Sequence, residues 1–272
     1  MASQKVALIT AGTAGLGAQI ARTLAPDFRI AVNYANNISR AKSLLDELHS
    51  IPPATKSSIH SPRFEALQAD VGDRSAIQQL VRDTVGKFGR LDVVVSNAGW
   101  TRVTNFNNLD EGMVEEDWDK CFLYNVKSHL WLMHAAKDEL EKSEGAFITT
   151  ASVAGIEPSG SSLPYAVSKS AAIHLSKSLA VICSPKIRVN SVSPGLLLTD
   201  WGMSFGPEKI EAATNATKLK RLATVEVLWY LLYTTQARAL IILQDVADQV
   251  QVLATTRSMT GQNLIVDSGL TL

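Results

Sequence analysis

Short apolar runs alternate with longer stretches of helical spacing along this 272-residue chain. Val6–Thr10, Phe28–Asn33, Phe64–Ala69, Leu91–Ser96, Ala146–Thr149, Ile187–Val192 and Asn263–Val266 read as strands. Leu16–Leu24, Ser39–Leu48, Ser75–Phe88, Trp118–Leu140 and Ala166–Ala180 read as helices, with two more before the last strand. Several strands, such as Asp92-Val93-Val94-Val95, are continuously apolar rather than alternating, as in parallel strands buried on both faces. A βαβαβ order of such strands predicts an α/β fold, a Rossmann-type doubly wound parallel sheet with its ligands at the carboxyl ends of the strands.

Two stretches break the rhythm. Ile51–Pro62, with three prolines and three serines, reads as an exposed loop because proline forbids regular pairing. Val227–Gln244 is an unusually apolar insertion. With both set aside, the remaining length is that of a single α/β domain spanning residues 1–272.

Composition then excludes whole classes. Hydrophobic residues make up 46% and charged residues 19%, with 26 Lys+Arg balanced by 26 Asp+Glu. This is a globular mix rather than a disordered one. Zero net charge argues against nucleic acid as a partner. The two cysteines, Cys121 and Cys183, form no CxxC pair, and the five histidines show no metal-ligand spacing, so no metal is expected. The N-terminus leaves no room for a signal peptide before Val6, and no apolar run is long enough to span a bilayer. A cytoplasmic protein without membrane association is expected.

Candidate chemistry begins after the first strand, at Thr10-Ala11-Gly12-Thr13-Ala14-Gly15-Leu16-Gly17. Glycines there let the backbone approach a pyrophosphate, and the following helix offers unpaired N–H groups to the anion. The second strand ends Asn33-Tyr34-Ala35-Asn36-Asn37, without the carboxylate that would bond a ribose 2′-hydroxyl, which favours NADP over NAD. Arg40 could reach a 2′-phosphate, or could lie solvated on the first helical turn. Farther on, Tyr165 and Lys169 stand at i and i+4 on one helix face. A nearby ammonium is expected to lower the phenol's pKa, suiting it to exchange a proton with a carbonyl or alcohol oxygen. Ser152, just past the fifth strand, could bond the same oxygen.

Together these motifs resemble the short-chain dehydrogenase/reductase family, of the single-domain kind that includes 3-oxoacyl-carrier-protein reductases and polyketide reductases. The likeness extends to Gly261–Gly269. The family's TGxxxGxG turn falls on Thr10–Gly17, with Ala11 for the first glycine, a substitution the turn tolerates if φ is negative. Its adenine-contacting Asp-Val pair falls on Asp70-Val71, and its NNAG motif on Ser96-Asn97-Ala98-Gly99. Asn125, Ser152, Tyr165 and Lys169 match the catalytic tetrad, with Asn125 holding a helix kink. Pro194-Gly195-Leu196-Leu197-Leu198-Thr199 matches the loop whose Leu197 backbone and Thr199 hold the nicotinamide.

The resemblance implies hydride transfer between NADP(H), with NAD(H) as the alternative, and the carbonyl or secondary alcohol of a small apolar metabolite. It also implies a homodimer or homotetramer formed through the helices carrying Asn125 and Tyr165. Trp201, Met203 and Phe205, together with Trp100, are expected around the substrate. Cys121 reads as a buried, inert thiol, and His129 and His134 as core or surface residues. A non-catalytic dinucleotide sensor with a disrupted lid is the alternative. Joining Glu226 to Asp245 restores the family's C-terminal run, so Val227–Gln244 reads as a retained intron, an added lid or a contact patch.

Overall fold

The computed structural model describes residues 4–54, 62–220 and 235–272. Seven strands, β1 (Lys5–Ile9), β2 (Phe28–Tyr34), β3 (Phe64–Gln68), β4 (Val93–Ser96), β5 (Ala146–Thr150), β6 (Arg188–Pro194) and β7 (Asn263–Val266), form one sheet. Their order is β3-β2-β1-β4-β5-β6-β7 and every pairing is parallel. The sheet is buried on both sides, which is why Val93, Val94 and Val95 need not alternate with polar residues.

Each face of the sheet carries a helical layer. Helices α1 (Gly15–Leu24) and α9 (Thr235–Thr255) cover one face, with α2 (Ile38–Ser50) beside them. Helices α3 (Arg74–Phe88), α5 (Ser128–Ser143) and α6 (Leu163–Cys183) cover the other. Asp73 caps α3 through bonds to the Ser75 and Ala76 amides, and left-handed Gly89 ends it. The long helix expected over Trp118–Leu140 is α4 (Glu115–Phe122) joined to α5 by a π-helical turn, Leu123–Lys127.

The chain reverses its winding between β1 and β4, so the loops leaving these neighbours diverge and open a crevice at their carboxyl ends. Short helices α7 (Asp200–Met203) and α8 (Pro207–Ala216) follow β6 and stand over that crevice.

The two interruptions fall partly outside the described residues, at 55–61 and 221–234. Of the apolar insertion, residues 235–244 belong to α9, which runs without a break through the expected junction at Asp245. Leu243 is buried in the core, and Gln244 bonds Gln19 at 2.6 Å, Thr23 at 3.1 Å and Asp248. The end of the insertion is thus engaged with α1, a contact that local pattern could not reveal. None of the described helices is long and apolar enough to cross a membrane.

Candidate active site

The turn after β1 is held by its neighbours before any ligand is considered. Thr10 is buried, and its Oγ1 accepts from the amides of Asn97 (2.9 Å) and Ala98 (3.1 Å). The Asn33 side chain accepts from the Ala11 amide at 3.2 Å, and its carbonyl from Gly12 at 2.9 Å. A Cβ on Gly17 would stand 2.3 Å from the Ala11 carbonyl oxygen, so only glycine permits this approach of helix to turn. No side chain caps α1, so its first amides remain available to an anion.

Ala11 departs from expectation. Its φ is +48°, in the left-handed region, rather than negative as the substitution for glycine would require to be free of strain. That conformation costs an alanine about 1–2 kcal/mol. Glycine's extra unfolded-state entropy returns about 0.4–1 kcal/mol of this. Ala11→Gly should therefore stabilise the protein by about 0.5–1 kcal/mol, raising its melting temperature by roughly 1–4 °C. Unchanged or lower melting would rule out strain at this turn.

The sequence-selected residues divide into those lining the cleft and those supporting it. A cleft of about 1050 Å³ is lined by Thr13, Gly15, Leu16, Asn97, Gly99, Ser152, Tyr165, Lys169, Pro194, Gly195, Leu197 and Thr199, among others. Thr10, Gly12, Gly17, Ala98 and Asn125 lie behind this surface. Tyr34 is buried outside the lining. Asp70 accepts from the Gly72 amide (2.8 Å) and the Tyr124 hydroxyl (3.4 Å), while Val71 packs in the core, so neither lines the cleft.

Tyr165 lies in the first turn of α6, where Ser162 caps the helix by accepting from the Tyr165 amide at 3.3 Å. One turn later, Lys169 extends to the Thr150 carbonyl at 2.8 Å, with Nζ 5.6 Å from the Tyr165 ring centre. Ser152, at the end of β5, accepts from the Ala154 amide at 3.2 Å and stands near enough to the phenol to favour its charged form. Asn125 sits wholly buried in the π-helical turn. Its Oδ1 accepts from the Trp100 amide at 2.7 Å, and its Nδ2 donates to the Trp100 carbonyl and Ser168 Oγ, both at 2.9 Å. A π turn adds a residue to the helix and so turns the Asn125 amide toward this loop.

The expectation that Lys169 would lower the phenol's pKa is overturned. Burial pushes Tyr165 up to about 12, a rise that the Ser152 hydroxyl opposes only in part. Burial likewise brings Lys169 down to about 8. Desolvation penalises both charged forms and is the largest cause of each shift.

The lid follows β6. Thr199 caps α7 by accepting from the Gly202 amide at 3.3 Å, and this places the Trp201 indole edge-on to the Tyr165 ring. The ring centres are 5.6 Å apart at 75°. Met203 and Phe205 line the same wall. Trp100, expected there too, is not part of the lining; its ring lies over Lys120 Nζ at 5.4 Å.

Three cleft residues, Arg22, Glu47 and Asp200, escaped the sequence reading because their roles arise from pairing across elements. Arg22 is held by Glu47 through two bonds of 2.6 and 2.9 Å, and Arg40 meets Asp200 at 2.8 Å across the cleft mouth. Cys121 is wholly buried and pushed up to about 11, an unreactive thiol. His129 is buried and bonds Ser96 Oγ through Nδ1 at 2.5 Å, which accounts for serine where the family has asparagine. His134 is exposed.

A parallel doubly wound sheet, a glycine turn at its switch point and a Tyr–Lys–Ser group in one cleft define a dinucleotide-dependent oxidoreductase. Residues 5–210 match the short chain dehydrogenase family, and the chain belongs to it. The protein is 32% identical over 268 residues to one described as ketoacyl reductase 2 of the granaticin polyketide synthase of Streptomyces violaceoruber, covering 97% of this chain and 95% of that one. A short chain dehydrogenase of Burkholderia cenocepacia in complex with NADP superposes with a TM-score of 0.82 at 28% identity, covering 99% of both chains. A 7α-hydroxysteroid dehydrogenase complexed with NADH and 7-oxo glycochenodeoxycholic acid gives 0.80 at 27% identity, covering 98% of this chain and 94% of that one.

Proposed function

We propose that this protein reduces the ketone of a small apolar metabolite with NADPH, in the cytoplasm and as a homo-oligomer. The observation that carries the reading is the half-buried Tyr165 phenol, with Ser152 and Lys169 beside it, in the cleft that also holds the glycine turn. The Ala11–Gly17 turn, with its enforced close approach and uncapped helix, suits a pyrophosphate. Asn97, Gly99, Pro194, Gly195, Leu197 and Thr199 would flank the nicotinamide half, with Asp70 and Val71 beyond the adenine end.

When bound, the nicotinamide supplies the hydride that reaches the carbonyl carbon. The protein's part is the proton. A phenol held at about 12 is protonated at neutral pH, so Tyr165 enters as an acid and gives its proton to the substrate oxygen. Ser152 bonds that same oxygen and fixes its position. Lys169, brought to about 8, exchanges protons near neutrality and can restore the phenol. Asn125 holds the Trp100 backbone and the helix turn that keep this arrangement fixed.

Preference for NADPH is supported by the absence of a carboxylate over Asn33–Asn37 and by Arg40 on the first turn of α2. Arg22 is already engaged by Glu47, whereas the Arg40–Asp200 pair is solvent-exposed and therefore weakly held. Arg40→Ala should weaken NADPH about 10-fold or more, as expected for one lost charge-assisted bond, and leave NADH little changed. Calorimetric titration with each nucleotide measures this; equal loss for both would remove Arg40 from 2′-phosphate recognition. Exposed Leu130 and Val167, on the helices carrying Asn125 and Tyr165, support assembly through that face. Nicotinamide absorbance followed over a ketone panel tests the reaction itself. Nucleotide binding with no oxidation by any ketone would defeat this reading.

A further inference from the structure

Among the described residues after β6, Trp201 is the side chain in ring contact with the proposed proton donor, and what it contacts bounds what can react there. Its indole meets Tyr165 edge to face, yet 38% of the residue remains exposed while lining the cleft. One side of the indole is therefore engaged with the phenol and the remainder is open to a ligand. Because the two ring centres are only 5.6 Å apart, a group lying against that open surface is about one ring's width from the phenol. It must then be bonded to the reacting carbonyl itself, not carried at the far end of a chain.

The chemistry of this wall distinguishes ring from chain. An indole gains most from a flat partner, through offset or edge-to-face contact beyond simple area burial. An open alkyl chain offers it less area and loses rotational freedom on being held straight, whereas a ring has little freedom to lose. Met203, Phe205, Val153 and Ala154 add apolar lining to the same cleft. Ser161, itself buried and bonded to Thr101 at 2.8 Å, is among the polar residues of that lining.

We propose that Trp201 determines specificity by selecting ketones whose carbonyl lies in, or directly on, a flat ring over open-chain 3-oxoacyl compounds. The inference rests on the reading of Tyr165 as proton donor only for where the carbonyl sits.

The test pairs 1-tetralone, a ring ketone, with ethyl 3-oxohexanoate, an open-chain one, in steady-state kinetics with NADPH. The wild-type protein should favour 1-tetralone in kcat/KM by about tenfold or more, a discrimination within reach of one aromatic contact plus the saved chain entropy. Trp201→Ala should bring the ratio near one, chiefly by raising KM for 1-tetralone, while Trp201→Phe retains most of it. A ratio near one in the wild type, or an equal fall for both ketones in Trp201→Ala, would overturn the proposal, since Trp201 would then only pack against Tyr165.

Calorimetric binding of both ketones to the NADPH complex of Tyr165→Phe separates this inference from the reaction. Tighter binding of 1-tetralone that Trp201→Ala abolishes supports ring selection even if no ketone is reduced. Equal binding of the two ketones refutes it even if both are. Melting curves establish that both Trp201 variants are folded.

Discussion

Tyr165→Phe is expected to lower turnover about 10²–10⁴-fold, the range for loss of a positioned general acid, while nucleotide affinity is retained. The substitution removes one oxygen and keeps the ring, so the edge-to-face contact with Trp201 and the packing of the first turn of α6 persist. Only the phenol hydroxyl, the proposed proton donor, is lost. Because that proton moves in the reaction rather than in substrate binding, kcat and kcat/KM should fall together. Single-turnover and steady-state rates with NADPH, alongside calorimetric titration of the nucleotide, measure both halves of this expectation. Turnover within tenfold of the wild type would remove Tyr165 from proton transfer and leave the cleft without its acid.

His129 is expected to make the protein acid-sensitive. Burial, aided by the neighbouring Lys169 ammonium, pushes its imidazole down to about 3. An unfolded chain binds that proton near pH 6.5, so between 6.5 and 3 the unfolded state holds more protons than the native one. Stability contributed by the neutral imidazole is therefore complete above pH 6.5 and is lost as pH falls through that window. The slope is about 1.4 kcal/mol per pH unit, or about 2–3 kcal/mol between pH 6.5 and 4.5.

His129→Gln places a polar but non-titrating side chain beside Ser96 and should reduce the acid loss by that amount, whatever its stability at pH 7. Urea midpoints at pH 7 and 4.5 for both proteins give the comparison. Parallel acid losses would mean that His129 gains a proton in the folded state. The Nε2 atom has no hydrogen-bond partner among the described residues, consistent with an imidazole kept neutral by its surroundings and not by an acid.

Much of this molecule was legible along the chain. The continuous apolar strands, the glycines between β1 and α1, and the i,i+4 spacing of Tyr165 and Lys169 are local features, and local features carry the period of a strand or a helix directly. They were enough to predict the doubly wound sheet and to bring Ser152, Tyr165 and Lys169 to one end of it. Element limits moved by only a few residues. The exception is the Trp118–Leu140 helix, where a π-helical turn at Asn125 has no compositional signature of its own.

What the chain pattern could not supply came from contacts between distant residues. The left-handed φ of Ala11 follows from bonds to Asn33 and the press of Gly17, and the sign of a dihedral is not written in a residue type. The raised Tyr165 pKa is a balance between burial and the neighbouring Ser152 hydroxyl, and burial exists only once α6 and β5 are assembled. Likewise, the turn of Trp100 away from the cleft, the Arg40–Asp200 pair and the seat of Trp201 on Tyr165 join segments far apart in the chain. Sequence by itself determined the fold, the class of chemistry and the candidate residues for it, because these depend on periodicity and on functional groups at short spacing. Tertiary structure alone decided protonation, strain and the shape of the substrate wall, because each is set by which distant side chains exclude water from the same few ångströms.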